Sequence, residues 1–115
     1  MAELTDFERG VVVGLLGTQG SFGGDGRTPQ ITLKMHVRHE DLLRWLLARF
    51  PRTRLYGPYG HGDRQFFQWM ARGRALVQDV LPVLEDAGEI DAHAKARLAL
   101  MRERYAETIA RFEPG

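Results

Sequence analysis

Hydrophobic and polar residues alternate most regularly in residues 30–38, QITLKMHVR. Ile31, Leu33, Met35 and Val37 fall on one side of an extended chain, which predicts a half-buried antiparallel strand. Every residue on the other side carries a hydrogen-bond donor that could reach phosphates or base edges. These residues are Gln30, Thr32, Lys34, His36 and Arg38. The alternative is an edge strand whose polar face is merely soluble.

Residues 5–17 have the pattern of a helix. Thr5 followed by Glu8 is a capping box, which favours a helix start at this point. Three glycines then share one helical face. They are Gly10, Gly14 and Gly17. Because glycine weakens a helix, three on one stripe indicate close approach of another backbone. That backbone could belong to another subunit or to a strand of the same chain.

Residues 52–71 predict a β-hairpin around the glycine- and proline-rich turn GPYGHGD. One face of its first strand would carry Arg52, Arg54 and Tyr56. In the second strand, the expected inward residues are Phe67, Trp69 and Ala71. The expected outward residues are Arg64, Gln68 and Arg72.

The remaining segments complete an α+β pattern. The elements predicted are a strand and turn at 20–28, an amphipathic helix at 39–50, a helix at 74–86 and a final helix at 91–112. Pro82 would kink or split the third of these. The order predicts one domain over residues 1–115, with a four-stranded antiparallel sheet and helices on one face.

Charge is distributed unevenly along the chain. The net charge is +1, but residues 27–74 hold ten basic residues and three acidic ones, which leaves six basic and twelve acidic residues elsewhere. A basic block in a nearly neutral chain is typical of a polyanion-binding site. The chain has no cysteine, which excludes disulfides and thiolate metal sites. The short apolar runs and the acidic start of the chain predict a cytoplasmic protein with no membrane partner.

Residues 12–20, VVGLLGTQG, resemble the LAGLIDADG motif of homing endonucleases, and Ser21 and Phe22 follow it as in many members. The αββαββα order is similar too, over about residues 7–87, with the helix at 91–112 as an addition. The resemblance implies a homodimer that lays two sheets over the major groove of double-stranded DNA. Its implied interface residues are Gly10, Val13, Gly14 and Gly17. Its implied DNA contacts are Gln30, Thr32, Lys34, His36, Arg38, Arg52, Arg54, Arg64, Gln68 and Arg72.

The resemblance also places the family's metal-binding acid at Gln19, so that any Mg²⁺ would lie at Gln19 and Gly20. A neutral amide brings no charge to hold a hard cation between phosphates. Arg72 and Arg74 correspond to the family's basic catalytic residue, although arginine is a poor proton-transfer group. The sequence therefore predicts a sequence-specific DNA-binding protein impaired in cleavage. Two alternatives remain: an active Mg²⁺-dependent endonuclease, and an interaction domain that binds an acidic partner.

Overall fold

The computed structural model describes residues 3–85 and 91–113. The elements are, in chain order, α1 (Asp6–Gln19), β1 (Ser21–Gly24), β2 (Pro29–His36), a 3₁₀ turn (Val37–His39), α2 (Glu40–Arg49), β3 (Arg54–Tyr59), β4 (Phe66–Arg72), a π-helical segment (Ala75–Val80), α3 (Leu81–Leu84), α4 (Ala92–Arg104) and α5 (Ala106–Phe112). The predicted α+β class and element order are confirmed. No helix in these two described ranges is long and apolar enough to span a membrane.

The four strands form one antiparallel sheet in the order β1-β2-β4-β3. The two central strands turn alternate residues towards the helices, where Ile31, Leu33 and Trp69 are completely buried. The indole of Trp69 donates to Thr53 Oγ1 at 2.9 Å, and that hydroxyl donates to the carbonyl of Phe50 at 2.6 Å. These bonds satisfy the polar atoms of a core that fixes which face of the sheet points outward.

The first helix begins as its sequence predicts. Thr5 Oγ1 accepts from the backbone N–H of Glu8 at 3.1 Å, and the Glu8 carboxylate accepts from the N–H of Thr5 at 2.9 Å. This reciprocal cap leaves Val12 and Leu16 to enter the core. The helix continues to Gln19, so the whole motif-like segment except its last glycine is helical.

The helix predicted at 74–86 divides near Pro82. Its first part is the π-helical segment, in which the N–H of Leu81 donates to the carbonyl of Leu76. About one α-helical turn follows in α3, with Pro82 as its second residue, where the chain has no N–H to donate. Residue 86 and the predicted core boundary at 87 lie outside the described residues.

The helix predicted at 91–112 is two helices that meet at Tyr105. The predicted apolar positions Leu98, Met101 and Ile109 are buried against the core. Tyr105 is buried too, and its hydroxyl accepts from the backbone N–H of Gly26 at 3.0 Å. The C-terminal helices therefore brace the turn between β1 and β2.

Candidate nucleic-acid interface

The outer face of the sheet carries polar and basic side chains in three cross-strand rows. Because Ile31, Leu33, Phe67, Trp69 and Ala71 point inward, their neighbours in β2 and β4 must point outward. The rows pair Gln30 with Arg72, Thr32 with Met70 and Arg54, and Lys34 with Gln68 and Tyr56. The predicted inward residues Phe67, Trp69 and Ala71 and the predicted outward residues Gln68 and Arg72 agree with this arrangement, whereas Arg64 lies before the strand.

Three cations of this face are exposed: Lys34, Arg54 and Arg72. Gln30 and Gln68 are partly exposed and lie opposite Arg72 and Lys34, respectively. Long cations can reach phosphate oxygens, whereas glutamine can pair with the edge of a base. The outer face thus carries side chains of both chemical types.

Arg52 does not belong to this face, and the prediction that it does is wrong. Its guanidinium donates to both carboxylate oxygens of Asp79, each at 2.8 Å, and to Gln78 Oε1 at 3.0 Å. Asp79 is only 8% exposed and lies in the π-helical segment on the opposite side of the sheet. This hydrogen-bonded carboxylate raises the pKa of Arg52. Arg52 therefore ties the chain before β3 to the helical layer.

Arg38 lies beyond the end of β2, contrary to the prediction of a strand through residue 38. The chain leaves the sheet because His36 Nδ1 accepts from the backbone N–H of Arg38 at 3.0 Å. His36 Nε2 then carries the proton and donates to the carbonyl of Asp63 at 2.7 Å. With both ring nitrogens engaged, His36 supports the edge of the sheet and has no free nitrogen for a base.

Lys34, His36, Arg38 and Arg64 instead come together around a shallow depression of about 470 Å³ at this edge, with Asp63 as its one carboxylate. Arg64 precedes β4 and is exposed. All four were predicted to contact DNA, and two of them, Arg38 and Arg64, line this basic rim from outside the strands.

Asp25, in the turn between β1 and β2, binds Arg72 at the other end of the outer face. Its carboxylate accepts from the backbone N–H groups of Thr28 and Arg27 at 2.8 and 2.9 Å, and it forms an ion pair with Arg72. The two backbone bonds, with the charge of Arg72 behind them, hold the pKa of Asp25 below its usual value. Arg72 therefore stays on the outer face with part of its charge compensated.

The predicted metal position lies at the C-terminal end of α1. Gln19 is exposed there, and the N–H of Gly20 donates to the carbonyl of Leu16 at 3.1 Å. In the described ranges, no three His, Cys, Asp or Glu side chains are grouped to hold a metal ion. A single neutral amide does not provide the charged oxygen set that Mg²⁺ prefers, so these residues do not fit a resident divalent ion.

Arg74, the second predicted catalytic residue, is directed to the C-terminal helices. Its guanidinium lies over the ring of Phe112, 5.6 Å from the ring centroid. Arg72 precedes it on the sheet, separated by Gly73 at a φ of 59°, a left-handed conformation that glycine tolerates. The bend at Gly73 therefore separates the two arginines that the sequence groups together.

The four residues predicted to form a dimer interface separate into two pairs. Gly10 and Gly14 are exposed, and a Cβ atom on either would meet nothing within 4 Å. Val13 is buried in the core, and a Cβ on Gly17 would lie 3.8 Å from that of Ala94 in α4. The glycine stripe thus serves an internal contact at Gly17 and leaves an open surface at the other two glycines.

Several surface aromatic residues were not predicted as site residues. Phe7 is 79% exposed one turn before Gly10, and Tyr59 and Phe66 lie on the outer face of the sheet. Phe7 could have been found from the sequence, because it is an apolar residue on the same helix face as the glycines. Tyr56 and Tyr59 are three residues apart, so a strict alternation would place them on opposite faces. The register shift between them in β3 brings Tyr59 to the outer face, which the sequence pattern does not predict.

No family model and no curated protein sequence matches this chain. Solved structures do. The chain resembles I-CeuI, a group I intron-encoded homing endonuclease complexed with DNA, with a TM-score of 0.62 and 15% identity over 100% of this chain and 70% of that one. It also resembles the homing endonuclease I-TnaI, with a TM-score of 0.55 and 18% identity over 95% of this chain and 100% of that one.

The fold is that of the homing endonucleases. A mutant of I-SmaMI gives a TM-score of 0.59 at 10% identity, over 97% of this chain and 44% of that one. The chain therefore spans less than half of the longer I-SmaMI chain. At these identities the likeness is one of fold.

Proposed function

We propose that the chain is a sequence-specific double-stranded DNA-binding protein that holds DNA against the outer face of its sheet. The observation that carries this proposal is the combination of Lys34, Arg54 and Arg72 with the amides of Gln30 and Gln68 on one face of a homing-endonuclease fold. One neighbour of that fold, I-CeuI, is complexed with DNA. Exposed cations supply affinity for phosphates, and the glutamines supply groups that can distinguish bases.

The proposed roles follow from side-chain chemistry. Lys34 and Arg54 neutralise phosphates, and their contribution weakens with salt because condensed counterions are released on binding. Gln30 and Gln68 can pair with the N6 and N7 positions of adenine, while Arg72 can pair with guanine O6 and N7. Because Asp25 already holds Arg72, its guanidinium is oriented before DNA arrives, which lowers the entropy lost on binding.

We further propose that two copies act together through the exposed face of α1. Four strands about 4.8 Å apart make a sheet about 15 Å wide, less than half of one turn of B-DNA, which is about 34 Å. Phe7, Gly10 and Gly14 offer an apolar and sterically open helix face for a second copy. A two-fold dimer would prefer a roughly palindromic site.

The binding experiment is selection from a randomised duplex pool, followed by mobility shifts on the selected duplex at low salt in EDTA. A reproducible, roughly palindromic consensus and steep weakening with salt are expected. No duplex affinity while the protein is folded would refute DNA binding. Affinity for heparin and for all duplexes alike would instead support an interaction domain for acidic partners.

We also propose that cleavage is impaired, because Gln19 replaces a charged metal ligand with a neutral amide. On the selected duplex, the protein should produce no nicks in Mg²⁺ beyond those in EDTA. The variant Gln19→Asp should raise Mg²⁺ affinity, measured by calorimetry on the protein–DNA complex. Mg²⁺-dependent nicking by the unaltered protein would instead establish an active endonuclease, with DNA binding still intact.

A further inference from the structure

Two tyrosines project from the outer face of the sheet near the β3–β4 hairpin. Tyr56 is 41% exposed opposite Gln68, and Tyr59 is 46% exposed opposite Phe66. Packing within the fold covers only part of each side chain, and the remainder is open on the sheet surface. Both rings therefore remain available to a ligand.

The ring of Tyr59 packs against its cross-strand neighbour. It contacts Phe66 at a centroid distance of 5.6 Å with the ring planes inclined by 47°. Lys34 Nζ lies 4.0 Å from the centroid of the same Phe66 ring. Phe66 thus links a cation on β2 to an aromatic ring on β3, and Tyr59 is left with an accessible ring surface.

The depression defined above adjoins this aromatic pair, because Phe66 lines it as well. Its rim carries Lys34, Arg38 and Arg64, while Asp63 is its only carboxylate and His36 is held in hydrogen bonds on both nitrogens. In the described residues, none of the three cations lies within 4.0 Å of a carboxylate oxygen. A phosphate would meet an excess of positive charge beside an aromatic platform.

Paired bases cannot use such a platform well. In a duplex the base faces are stacked on one another, and only base edges are presented in the grooves. Unpaired nucleotides expose their faces, and proteins bind them by stacking on aromatic side chains beside a basic groove. Tyr56 and Tyr59 lie one outward position apart along β4, roughly 7 Å at about 3.4 Å per residue, so that two bases could be engaged.

We propose that this end of the sheet binds unpaired nucleotides of single-stranded DNA or RNA, with bases stacked on Tyr59 and Tyr56 and phosphates at Lys34, Arg38 and Arg64. The activity goes beyond duplex recognition and does not require a dimer. It adds to the sheet a region specialised by its aromatic rings, whereas the rows of Gln30, Arg72 and Arg54 lie further along the strands.

The test uses fluorescence anisotropy of labelled oligothymidylate, oligouridylate and a mixed-sequence duplex, at low salt in EDTA. Tyr59→Leu is the test variant and Tyr59→Phe is its matched control, because the second keeps the ring. Tyr59→Leu should weaken single-strand binding about tenfold, which is about 1.4 kcal/mol and within the range for one stacked base. Tyr59→Phe should retain the affinity, and duplex binding should be unchanged in both. Circular dichroism checks that each variant is folded.

Preference for oligothymidylate would identify single-stranded DNA as the ligand, preference for oligouridylate would identify RNA, and equal affinities would indicate stacking that ignores the sugar. Absence of binding to both single strands by the unaltered protein would overturn the proposal, as would equal affinity of Tyr59→Leu and the unaltered protein. Failure of duplex binding with intact single-strand binding would overturn the proposed function and leave this inference standing.

Discussion

Arg52 and Arg54 are separated by one residue but have different surroundings, which provides a matched pair of variants. Arg52 forms two bonds of 2.8 Å to the carboxylate of Asp79, whereas Arg54 is exposed on the outer face of the sheet. Removing Arg52 leaves a carboxylate that is 10% exposed without its ion-pair partner. Removing Arg54 leaves no buried group unsatisfied.

The cost of Arg52→Ala follows from this geometry. Breaking a fully buried ion pair costs about 3–5 kcal/mol, but the side chain of Arg52 is 47% exposed, so that water can partly replace it. We expect a loss of about 2 kcal/mol in the free energy of unfolding, equivalent to a fall in Tm of about 8 °C. Duplex affinity of the folded protein should be unchanged.

Arg54→Ala should have the opposite profile. Its unfolding free energy should stay within about 0.5 kcal/mol of the original, as is usual for exposed sites. The slope of log K against log salt for duplex binding should fall by about 0.9 for each lost phosphate contact. Thermal denaturation and salt-titrated anisotropy measure the two quantities. If Arg52→Ala weakened DNA binding at unchanged stability, the assignment of the two arginines would be wrong.

Three other substitutions test separate parts of the account. Gly14→Leu should abolish self-association, measured by sedimentation equilibrium. It should not destabilise the monomer, because a Cβ atom there meets nothing within 4 Å and glycine costs a helix up to about 1 kcal/mol. A persistent dimer would contradict the role given to this helix face. The pKa of Asp25 lies below its ordinary value of 3.8, so its stabilising effect is complete above that pH and is lost as the pH falls through the lowered pKa. When the pH is lowered below 3.8, the Asp25→Asn variant should therefore lose less unfolding free energy than the original protein. Urea denaturation at each pH measures this loss, and equal losses in the two proteins would argue against the ion pair. Tyr105→Phe removes the acceptor for the N–H of Gly26 and should cost about 1 kcal/mol in urea denaturation, whereas no loss would mean that water replaces the hydroxyl fully.

The sheet could be predicted because its signals are local. The alternation around Ile31 and Leu33 has the period of a strand, and a strand buried on one side must expose its polar residues on the other. The cap at Thr5 is equally local, since both of its hydrogen bonds join residues three apart. In these segments the order of residues determines the structure without reference to the rest of the chain.

The errors arose where partners are distant in sequence. Asp79 is 27 residues from Arg52, and nothing near Arg52 indicates that its charge will be used within the fold. Gly17 likewise has its neighbour far along the chain. A Cβ atom there would lie 3.8 Å from that of Ala94 in α4, whereas Gly10 and Gly14 of the same stripe are open. Composition and periodicity identify a cation or a small residue, but only the tertiary contacts decide whether its surface stays free.

The interface has a similar division. The outward positions of β2 were predictable. The end of the strand was not, because it coincides with a hydrogen bond in which His36 Nδ1 accepts from the backbone N–H of Arg38. That bond turns Arg38 away from the strand and into the rim of the depression. The aromatic pair of Tyr59 and Phe66 depends in turn on the register shift in β3, which no periodic pattern contains.

The most direct test of the central claim is the salt dependence of duplex affinity for the triple variant Lys34→Ala, Arg54→Ala, Arg72→Ala. All three side chains are exposed on the outer face of the sheet, so the fold should be retained. Loss of the two proposed phosphate contacts, those of Lys34 and Arg54, should lower the slope of log K against log salt by about 1.8 per subunit. Loss of the proposed base contact of Arg72 should add to the fall in affinity at low salt. An unchanged slope and affinity in the folded triple variant would show that DNA does not bind to this face.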